Sequence, residues 1–331
     1  MNLDETSIPV IFSDVKGTVL VRNGPAAWAT VPRQRATKGE MRMYFTHVAM
    51  ICNDPALQPI LPQVIFVGAA ALTKTQFHLL GAELPDNVYL KRMPKGWNNA
   101  DEHKVIIELL AMVLAGHEDL QVILAFDAAP IHLAPKVLEQ LRASGFLFLL
   151  VPAKLTWLLQ PLDRCVFFRF KLYLKQRFTE AFLNGVSNTE KVPRMIRLVI
   201  QAIRYVLQKY TWEYAFRQTG LWIDQSSVAA SIKRDLQIKD IPHIPCERPS
   251  AEMLRRCWPK NRQFDEDLVM SLVPADQPVP AASPGVSVSP ASATSATGAA
   301  CSSASSSSGV LPGARAAERR QRLRTKTTPL S

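Results

Sequence analysis

Two short apolar segments separated by a helix-like pattern place the strongest limit on how this chain can fold. QVILAF (121–126) and FLFLLVP (146–152) are apolar runs without polar alternation, as expected for strands buried on both faces. Between them, APKVLEQLRASG (134–145) has the spacing of a short helix and ends in a glycine. This arrangement predicts a layered α/β domain in which helices pack on a central sheet.

The neighbouring segments extend this pattern in both directions. Three further segments are rich in β-branched and apolar residues and predict strands: 17–23, 43–52 and 62–68. Three longer segments predict helices: 99–117, 163–183 and 190–210. Asn99 or Asp101 can cap the first of these helices, and Gly116 can end it. We therefore expect an α/β fold with a mixed sheet flanked by helices over residues 1–222.

Charge and cysteine content narrow the class of partner and the cellular compartment. The 331 residues carry 39 Lys and Arg against 28 Asp and Glu, and the net charge of +11 favours an anionic partner such as nucleic acid. The five cysteines are scattered without a Cys-x-x-Cys pair, which is typical of reduced thiols in an intracellular protein. Neither a signal peptide nor an apolar run of membrane-spanning length is present, so we expect a soluble protein of the cytoplasm or nucleus.

The end of the chain differs in composition from the rest. Residues 271–331 are dominated by Pro, Ser, Ala and Gly, which cannot bury enough apolar surface to offset their ordering entropy, so we predict disorder there. The tail ends in a basic cluster, RAAERRQRLRTKT, which is typical of a nuclear localisation signal or a nucleic-acid-binding arm but also of a merely solvated tail. Residues 223–270 form an extension whose fold the sequence does not predict.

Three carboxylates occupy comparable places in this scheme. Asp4 follows what looks like the stub of a first strand, Asp127 ends the run VILAF, and Asp163 opens a long helix after the last buried strand. Ligand sites of α/β sheets form at strand ends, so these side chains can converge. Three converged carboxylates repel each other unless hard cations neutralise them, and a pair of Mg²⁺ or Mn²⁺ ions serves phosphoryl transfer in this way.

A dense group of cations follows Asp163. Between residues 164 and 209 there are ten Lys or Arg and two acids. Contact with nucleic-acid phosphates is one interpretation, and two ordinary helices with solvated faces are the alternative. The cations nearest to Asp163 are the candidate phosphate contacts: Arg164, Arg169, Lys171, Lys175 and Arg177.

Several segments resemble the catalytic domain of pogo/Tigger-type transposases and of their relatives akin to centromere protein B. DAAPIH (127–132) resembles their DNAPSH, and VPAKLTWLLQPLDRCVFFRFK (151–171) resembles their LPPNTTSLLQPLDQGVIRTFK. LDET (3–6), KGWNNADEH (95–103) and YAFRQTGL (214–221) are similar to further motifs of the family and occur in the same order. The resemblance spans about residues 3–222, and LLQPLD is its most specific part.

The resemblance implies an RNase H-like fold and a metal-binding triad of Asp4, Asp127 and Asp163. In that family two Mg²⁺ or Mn²⁺ ions drive cleavage of a DNA strand and attack of the freed 3′-hydroxyl on target DNA. It further implies DNA as the partner, a nuclear location, assembly into homo-oligomers, and supporting roles for His132 and Gln160. For His132 two readings stay open: a hydrogen bond near Asp127, or a structural cap on the turn.

Departures from the family pattern keep a second function open. Ala128 replaces the family's Asn after the second acid, and Lys154 and Trp157 occupy unusual positions. The chain leaves no room before Asp4 for helix-turn-helix domains and little for the strand that should hold this residue. The alternative is therefore a catalytically inactive, truncated or domesticated transposon-derived protein that binds nucleic acid. An enzyme acting on small phosphate compounds has little support, since P-loop and G-x-G-x-x-G motifs are absent.

Overall fold

A mixed sheet organises the part of the chain that the computed structural model describes, which is residues 1–12, 43–117, 119–182, 186–221, 230, 233–239 and 248–275. Its strands are β1 (Asn2–Pro9), β2 (Tyr44–Ile51), β3 (Gln63–Gly68), β4 (Val88–Met93), β5 (Ile123–Asp127) and β6 (Leu147–Val151). The order across the sheet is β4-β3-β2-β1-β5-β6. β2 runs antiparallel to β1 and β3, and the other neighbours are parallel. The expected α/β fold with a mixed sheet flanked by helices is confirmed.

Helices connect and cover these strands. They are α1 (Lys74–Glu83), α2 (Ala100–Leu114), α3 (Pro135–Ala143), α4 (Thr156–Leu159), α5 (Phe167–Phe182), α6 (Asn188–Ala202), α7 (Glu213–Gln218), α8 (Ala251–Cys257) and α9 (Glu266–Leu272). Two π-helical segments, Leu162–Val166 and Ile203–Gln208, precede α5 and follow α6, and a 3₁₀ turn spans Gln58–Ile60. Within the described ranges, no helix has the length and apolar character that crossing a membrane requires.

The first strand corrects one expectation. Asp4 does not follow a stub; it is the third residue of the eight-residue strand β1. Every residue of β1 is paired with β2, from Asn2 opposite Ile51 to Pro9 opposite Tyr44. Thr6 and Ile8 are β-branched and buried, which suits a central strand. The first half of β1 contains polar residues, and its pairing with β2 holds it in the sheet. The strand predicted at 17–23 and the tail from 276 onward lie outside the described residues.

The side chains of β1 point alternately toward two layers of helices, one on each face of the sheet. Successive side chains of a strand point to opposite faces, so Asp4 and Ile8 share one face and Glu5 lies on the other. On the face of Ile8, the core includes Phe170 and Leu174 of α5 and Met195 of α6. Four apolar residues at four-residue spacing after Asp163 are all buried: Val166, Phe170, Leu174 and Phe178. Glu5 faces α2 and the turn before α3.

The start of α2 is fixed by a turn that only glycine fits well. Gly96 has a φ of +70°, and a Cβ atom there would lie 2.8 Å from the backbone nitrogen of Gly68. After this turn, the side chain of Asn99 accepts hydrogen bonds from the backbone N–H groups of Asp101 and Glu102, which confirms Asn99 as the N-cap. The turn also places Asn98 beside Glu5 of β1.

Candidate active site

The three predicted acids lie on two neighbouring strands and on the segment that leads into α5. Asn2 of β1 is paired with Ala125 of β5, so Asp4 and Asp127 each lie two residues beyond this pair. Asp4 is only 7 % exposed, whereas Asp163 is exposed on the first π-helical segment. Burial and the charges of Asp163, Glu5 and Asp127 raise the pKa of Asp4 well above its ordinary value. Burial, together with the charge of Asp127, also raises the pKa of Asp163. The charges of these carboxylates therefore act on one another.

Hydrogen bonds orient two of the acids and leave one oxygen of each available. Asp127 Oδ1 accepts from the backbone N–H of Ala129 at 3.0 Å and lies 2.7 Å from His132 Nδ1. Asp4 Oδ1 accepts from the backbone N–H of Glu5 at 2.8 Å. Among the described residues, no hydrogen bond reaches Oδ2 of either aspartate. Each side chain is therefore held by one oxygen while the other can bind a ligand.

Asn2 joins the elements that carry the three acids. Its side chain is fully buried, and Nδ2 donates to the carbonyl oxygen of Ala125 on β5 at 2.8 Å. Its Oδ1 accepts from the backbone N–H of Leu162 at 2.9 Å, immediately before Asp163. One carboxamide thus connects β1, β5 and the π-helical segment. π-Helical turns of this kind occur frequently at functional sites, since they re-aim the side chains that follow.

Replacing Asn2 should loosen this connection. In Asn2→Ala, the N–H of Leu162 and the carbonyl of Ala125 lose their buried partner, which costs about 2–4 kcal/mol of unfolding free energy. In Asn2→Asp, the acceptor for Leu162 is retained while the donor to Ala125 is lost and a fourth carboxylate is added. We expect both variants to be destabilised in urea unfolding, with weaker Mn²⁺ binding in calorimetry only for Asn2→Ala. Unchanged stability in Asn2→Ala would contradict the connecting role.

The predicted cations do not share one surface. Lys171 faces the acids: burial lowers the pKa of Lys171, while the charges of Asp163 and Asp4 act in the opposite direction. Lys175 lies over the ring of Phe12. The remaining three predicted cations face other groups: Arg164 pairs with Asp235 at 2.5 Å, Arg169 lies 5.4 Å from the ring of Tyr214, and Arg177 pairs with Glu180 at 2.7 Å. Of the five, the structure brings Lys171 closest to the acids in electrostatic terms.

A buried hydrogen-bonded network extends from Asp127, and the sequence analysis missed most of it. His132 bridges two carboxylates, with Nδ1 at 2.7 Å from Asp127 Oδ1 and Nε2 at 3.0 Å from Glu5 Oε2. The other oxygen of Glu5 accepts from Asn98 Nδ2 at 2.6 Å, and that nitrogen lies 3.0 Å from His103 Nδ1. The one available signal was the position of Glu5 directly after Asp4, which places its side chain on the opposite face of the sheet.

The network holds an ion pair in which His132 is buried and Glu5 is partly exposed. Burial lowers the pKa of His132, but the charge of Glu5 and the hydrogen bonds that the ring donates to Asp127 and Glu5 outweigh this effect and raise the pKa to about 10. Burial would raise the pKa of Glu5, yet His132 and His103 together hold it well below its ordinary value. Burial lowers the pKa of His103, which keeps this ring neutral. Of the two readings of His132, the structure contains the hydrogen bond to Asp127.

Two groups of side chains could hold a metal ion. Among the described residues, Glu5, His103 and His132 offer ligand atoms that all lie within 4.8 Å of one another, whereas the three aspartates do not form such a group. In the first group, however, Glu5 and His132 already satisfy each other. The aspartates offer only oxygen atoms, the donors that Mg²⁺ and Mn²⁺ prefer, and a wider spacing suits two ions about 4 Å apart.

The side chain of Gln160 is buried without a hydrogen-bond partner among the described residues. It is the fully buried glutamine of the LLQPLD motif, and its backbone lies in the turn that leads to Asp163. Neither polar atom of its side chain has a hydrogen-bond partner among the described residues. Buried amides are nearly always satisfied, so this one is an exception that a bound ligand or water would remove.

Comparison with known proteins gives few matches. No model of a known protein family matches the chain, and no curated protein matches it. Among solved structures, the Mos1 transposase paired-end complex with the left transposon end is 14% identical, covers 67% of this chain and 56% of that chain, and gives a TM-score of 0.33. The Mos1 mariner paired-end complex with Mn is 14% identical, covers 62% and 56%, and gives a TM-score of 0.34. The chain spans a little over half the length of these proteins. This likeness concerns the fold alone, and no residue role is taken from it.

Proposed function

We propose that this chain is the DDE endonuclease domain of a pogo/Tigger-like transposase, which binds DNA in the nucleus and cleaves and joins phosphodiester bonds with Mg²⁺ or Mn²⁺. The observation that carries the proposal is that Asp4 and Asp127 each follow a paired position of neighbouring strands by two residues, while Asn2 connects both strands to the segment of Asp163. The resemblance of LLQPLD and DAAPIH to the family's motifs supports it, as does the net charge of +11.

The donor set fits the proposed ions. Neighbouring carboxylates, of which Asp4 and Asp163 have a raised pKa, are an unfavourable arrangement that divalent cations relieve, and all the donors are oxygen. Asp4, Asp127 and Asp163 would hold them. The chemistry that two such ions supply when bound is activation of the attacking oxygen and stabilisation of the leaving oxygen of the phosphodiester.

The chain's own residues then position the groups and balance the charge. His132 and the N–H of Ala129 fix Oδ1 of Asp127, so its carboxylate presents the same oxygen to the site in every molecule. Asn2 holds β5 and the segment of Asp163 at a set separation. Lys171 brings a positive charge to the acids, where it can contact a phosphate of the DNA.

A second function has one observation in its favour. Ala128 cannot supply the side-chain amide that the family's Asn places next to the second acid. Loss of this group without loss of the acids would suit a protein that retains DNA binding but has lost strand cleavage. In this alternative the chain is a domesticated, transposon-derived nucleic-acid-binding protein.

Nicking of supercoiled plasmid separates the two functions. We expect the wild-type protein to convert plasmid to the open-circular form with Mn²⁺ or Mg²⁺, and EDTA to stop the reaction. Asp127→Asn should be inactive, while the matched control Asp101→Asn, which changes an exposed acid paired with Lys136, should be as active as wild type. Equal rates for wild type and Asp127→Asn would reject the endonuclease, and DNA binding without nicking would establish the alternative.

A further inference from the structure

A second surface on the helices after Asp163 combines exposed aromatic rings with cations. A groove of about 860 Å³ runs between α5 and the end of α6 with its π-helical segment. We call it the α5–α6 groove. Its lining residues on α5 include Tyr173, Arg177 and Glu180, and those on the other side include Arg204, Tyr205 and Lys209.

The aromatic part of the groove is a pair of tyrosines that meet across the two helices. The rings of Tyr173 and Tyr205 are stacked, with centroids 6.0 Å apart and an interplanar angle of 24°. Tyr205 remains 55% exposed despite this contact. An exposed aromatic ring of this kind offers a stacking surface for an unpaired base, whereas the bases of a duplex are already stacked on each other.

The cations around the tyrosines give the groove a positive balance. Arg177 lies 5.8 Å from the centre of the Tyr173 ring and pairs with Glu180, and both partners of this pair are well exposed. Arg204 and Lys209 are exposed, and neither has an ion-pair partner among the described residues. Exposed pairs such as Arg177–Glu180 are weak, so a phosphate can displace the carboxylate. Cations beside an aromatic surface are the combination that binds a single strand.

The groove lies away from the candidate active site. Lys171 of α5 faces Asp163 and Asp4. Tyr173 and Arg177 follow it by two and six residues, which turns them about 200° and 240° around the helix axis. They therefore project from the opposite side of α5.

The backbone on one side of the groove has a geometry that is typical of functional sites. Arg204 and Tyr205 lie on the second π-helical segment, Ile203–Gln208, whose buried residues are Ile203, Val206 and Leu207. The segment thus anchors three apolar side chains while it presents two adjacent side chains outward. π-Helical turns are rare and concentrate at functional sites.

From these observations we propose that the α5–α6 groove binds an unpaired strand of nucleic acid, with a base stacked on Tyr205 and phosphates held by Arg177, Arg204 and Lys209. The site is separate from the three aspartates and needs no metal ion. This inference rests on the proposed function in one respect, which is that the ligand is taken to be a nucleic acid.

Binding of a fluorescent oligothymidylate of about 12 nucleotides to the full chain in EDTA tests this proposal. Tyr205→Ala should weaken binding about tenfold, and Tyr205→Phe, which keeps the ring, should stay within about twofold of wild type. Phe168→Ala removes a 72%-exposed ring from α5 outside the groove and should have no effect. Replacing Arg204 and Lys209 together by Gln should reduce the slope of log affinity against log salt by about 1.4.

The outcomes distinguish this site from the endonuclease. If Tyr205→Ala binds as tightly as wild type, or if a polyglutamate peptide displaces the oligonucleotide from wild type and Tyr205→Ala alike, the groove recognises charge alone and the proposal is overturned. Asp127→Asn should bind the oligonucleotide normally. If the protein does not nick plasmid but Tyr205→Ala weakens oligonucleotide binding, the groove is supported and the endonuclease is rejected. If the protein nicks plasmid but Tyr205→Ala binds as wild type does, only the groove is rejected.

Discussion

Asp4→Asn should make the metal-free protein more stable and at the same time remove its stabilisation by divalent cations. The carboxylate is buried beside other acids, which raises its pKa and makes its charge unfavourable at neutral pH. Replacing it by a neutral isostere should raise the free energy of unfolding in EDTA by about 1 kcal/mol or more, as is common where a site is built for function.

Addition of metal should reverse the order of the two proteins. A divalent cation at a concentration of about 100 times its dissociation constant raises the free energy of unfolding of the wild type by about 2.7 kcal/mol. The free energy of unfolding of Asp4→Asn should rise much less. Plasmid nicking should fall by about three orders of magnitude, since the acids act as one unit. Urea unfolding with and without Mn²⁺ measures the reversal, and Asp101→Asn, which changes an 80%-exposed acid, is the control. Equal stabilisation of both proteins by Mn²⁺ would contradict a role for Asp4 in holding the metal.

Glu5→Gln should be among the most destabilising single changes near the site. It leaves the buried His132 cation with Asp127 as its remaining charged partner and its Nε2–H facing a neutral group, which should cost about 3 kcal/mol, the low end for loss of one partner of a buried pair. The double variant Glu5→Gln with His132→Gln removes both charges and should recover most of this loss. Glu108→Gln, at the exposed pair with Lys104, should cost about 0.5 kcal/mol or less. If the single and double variants are equally unstable in EDTA, packing and not charge explains the effect.

The same ion pair gives the metal-free protein a defined pH dependence. The pKa of His132 is raised to about 10 in the folded protein, so between 6.5 and 10 the folded state binds one more proton than the unfolded state. The contribution of His132 to stability is therefore complete below pH 6.5 and is lost as the pH rises toward 10. Urea unfolding in EDTA at pH 7 and pH 9 should show a larger loss for wild type than for the double variant. Parallel losses would contradict the buried pair.

Local patterns in the sequence were enough to predict most of the elements that carry the site. The apolar runs at 121–126 and 146–152 and the Asn99 cap correspond to β5, β6 and the start of α2, because such runs and caps are local patterns. Burial on both faces was wrong for β6, which is an edge strand with Leu149 exposed. The extent of β1 was missed because Asp4-Glu5-Thr6 is a polar start, and only the residue-by-residue pairing with β2 makes it a strand.

Contacts between distant segments could not be predicted in the same way. Glu5 meets Asn98 and His132 across 93 and 127 residues of sequence, and no local pattern indicates such a meeting. The cations after Asp163 were counted together, although helical phase places Lys171 and Arg177 on different sides of α5. The role of Asn2 depends on hydrogen bonds to two segments far along the chain.

The central position of β1 has a consequence for how the protein folds. β1 pairs with β2 along its whole length, but the other edge of β1 stays open until β5 arrives, and the Asn2 contacts to Ala125 and Leu162 span 123 and 160 residues. Contacts of this sequence separation form slowly, because their loop-closure entropy must be overcome first. On a ribosome, the open edge of β1 is exposed until the chain is synthesised beyond residue 127, and unpaired edges of this kind associate with other strands. We therefore expect the carboxylates to come together only after these long-range contacts have formed.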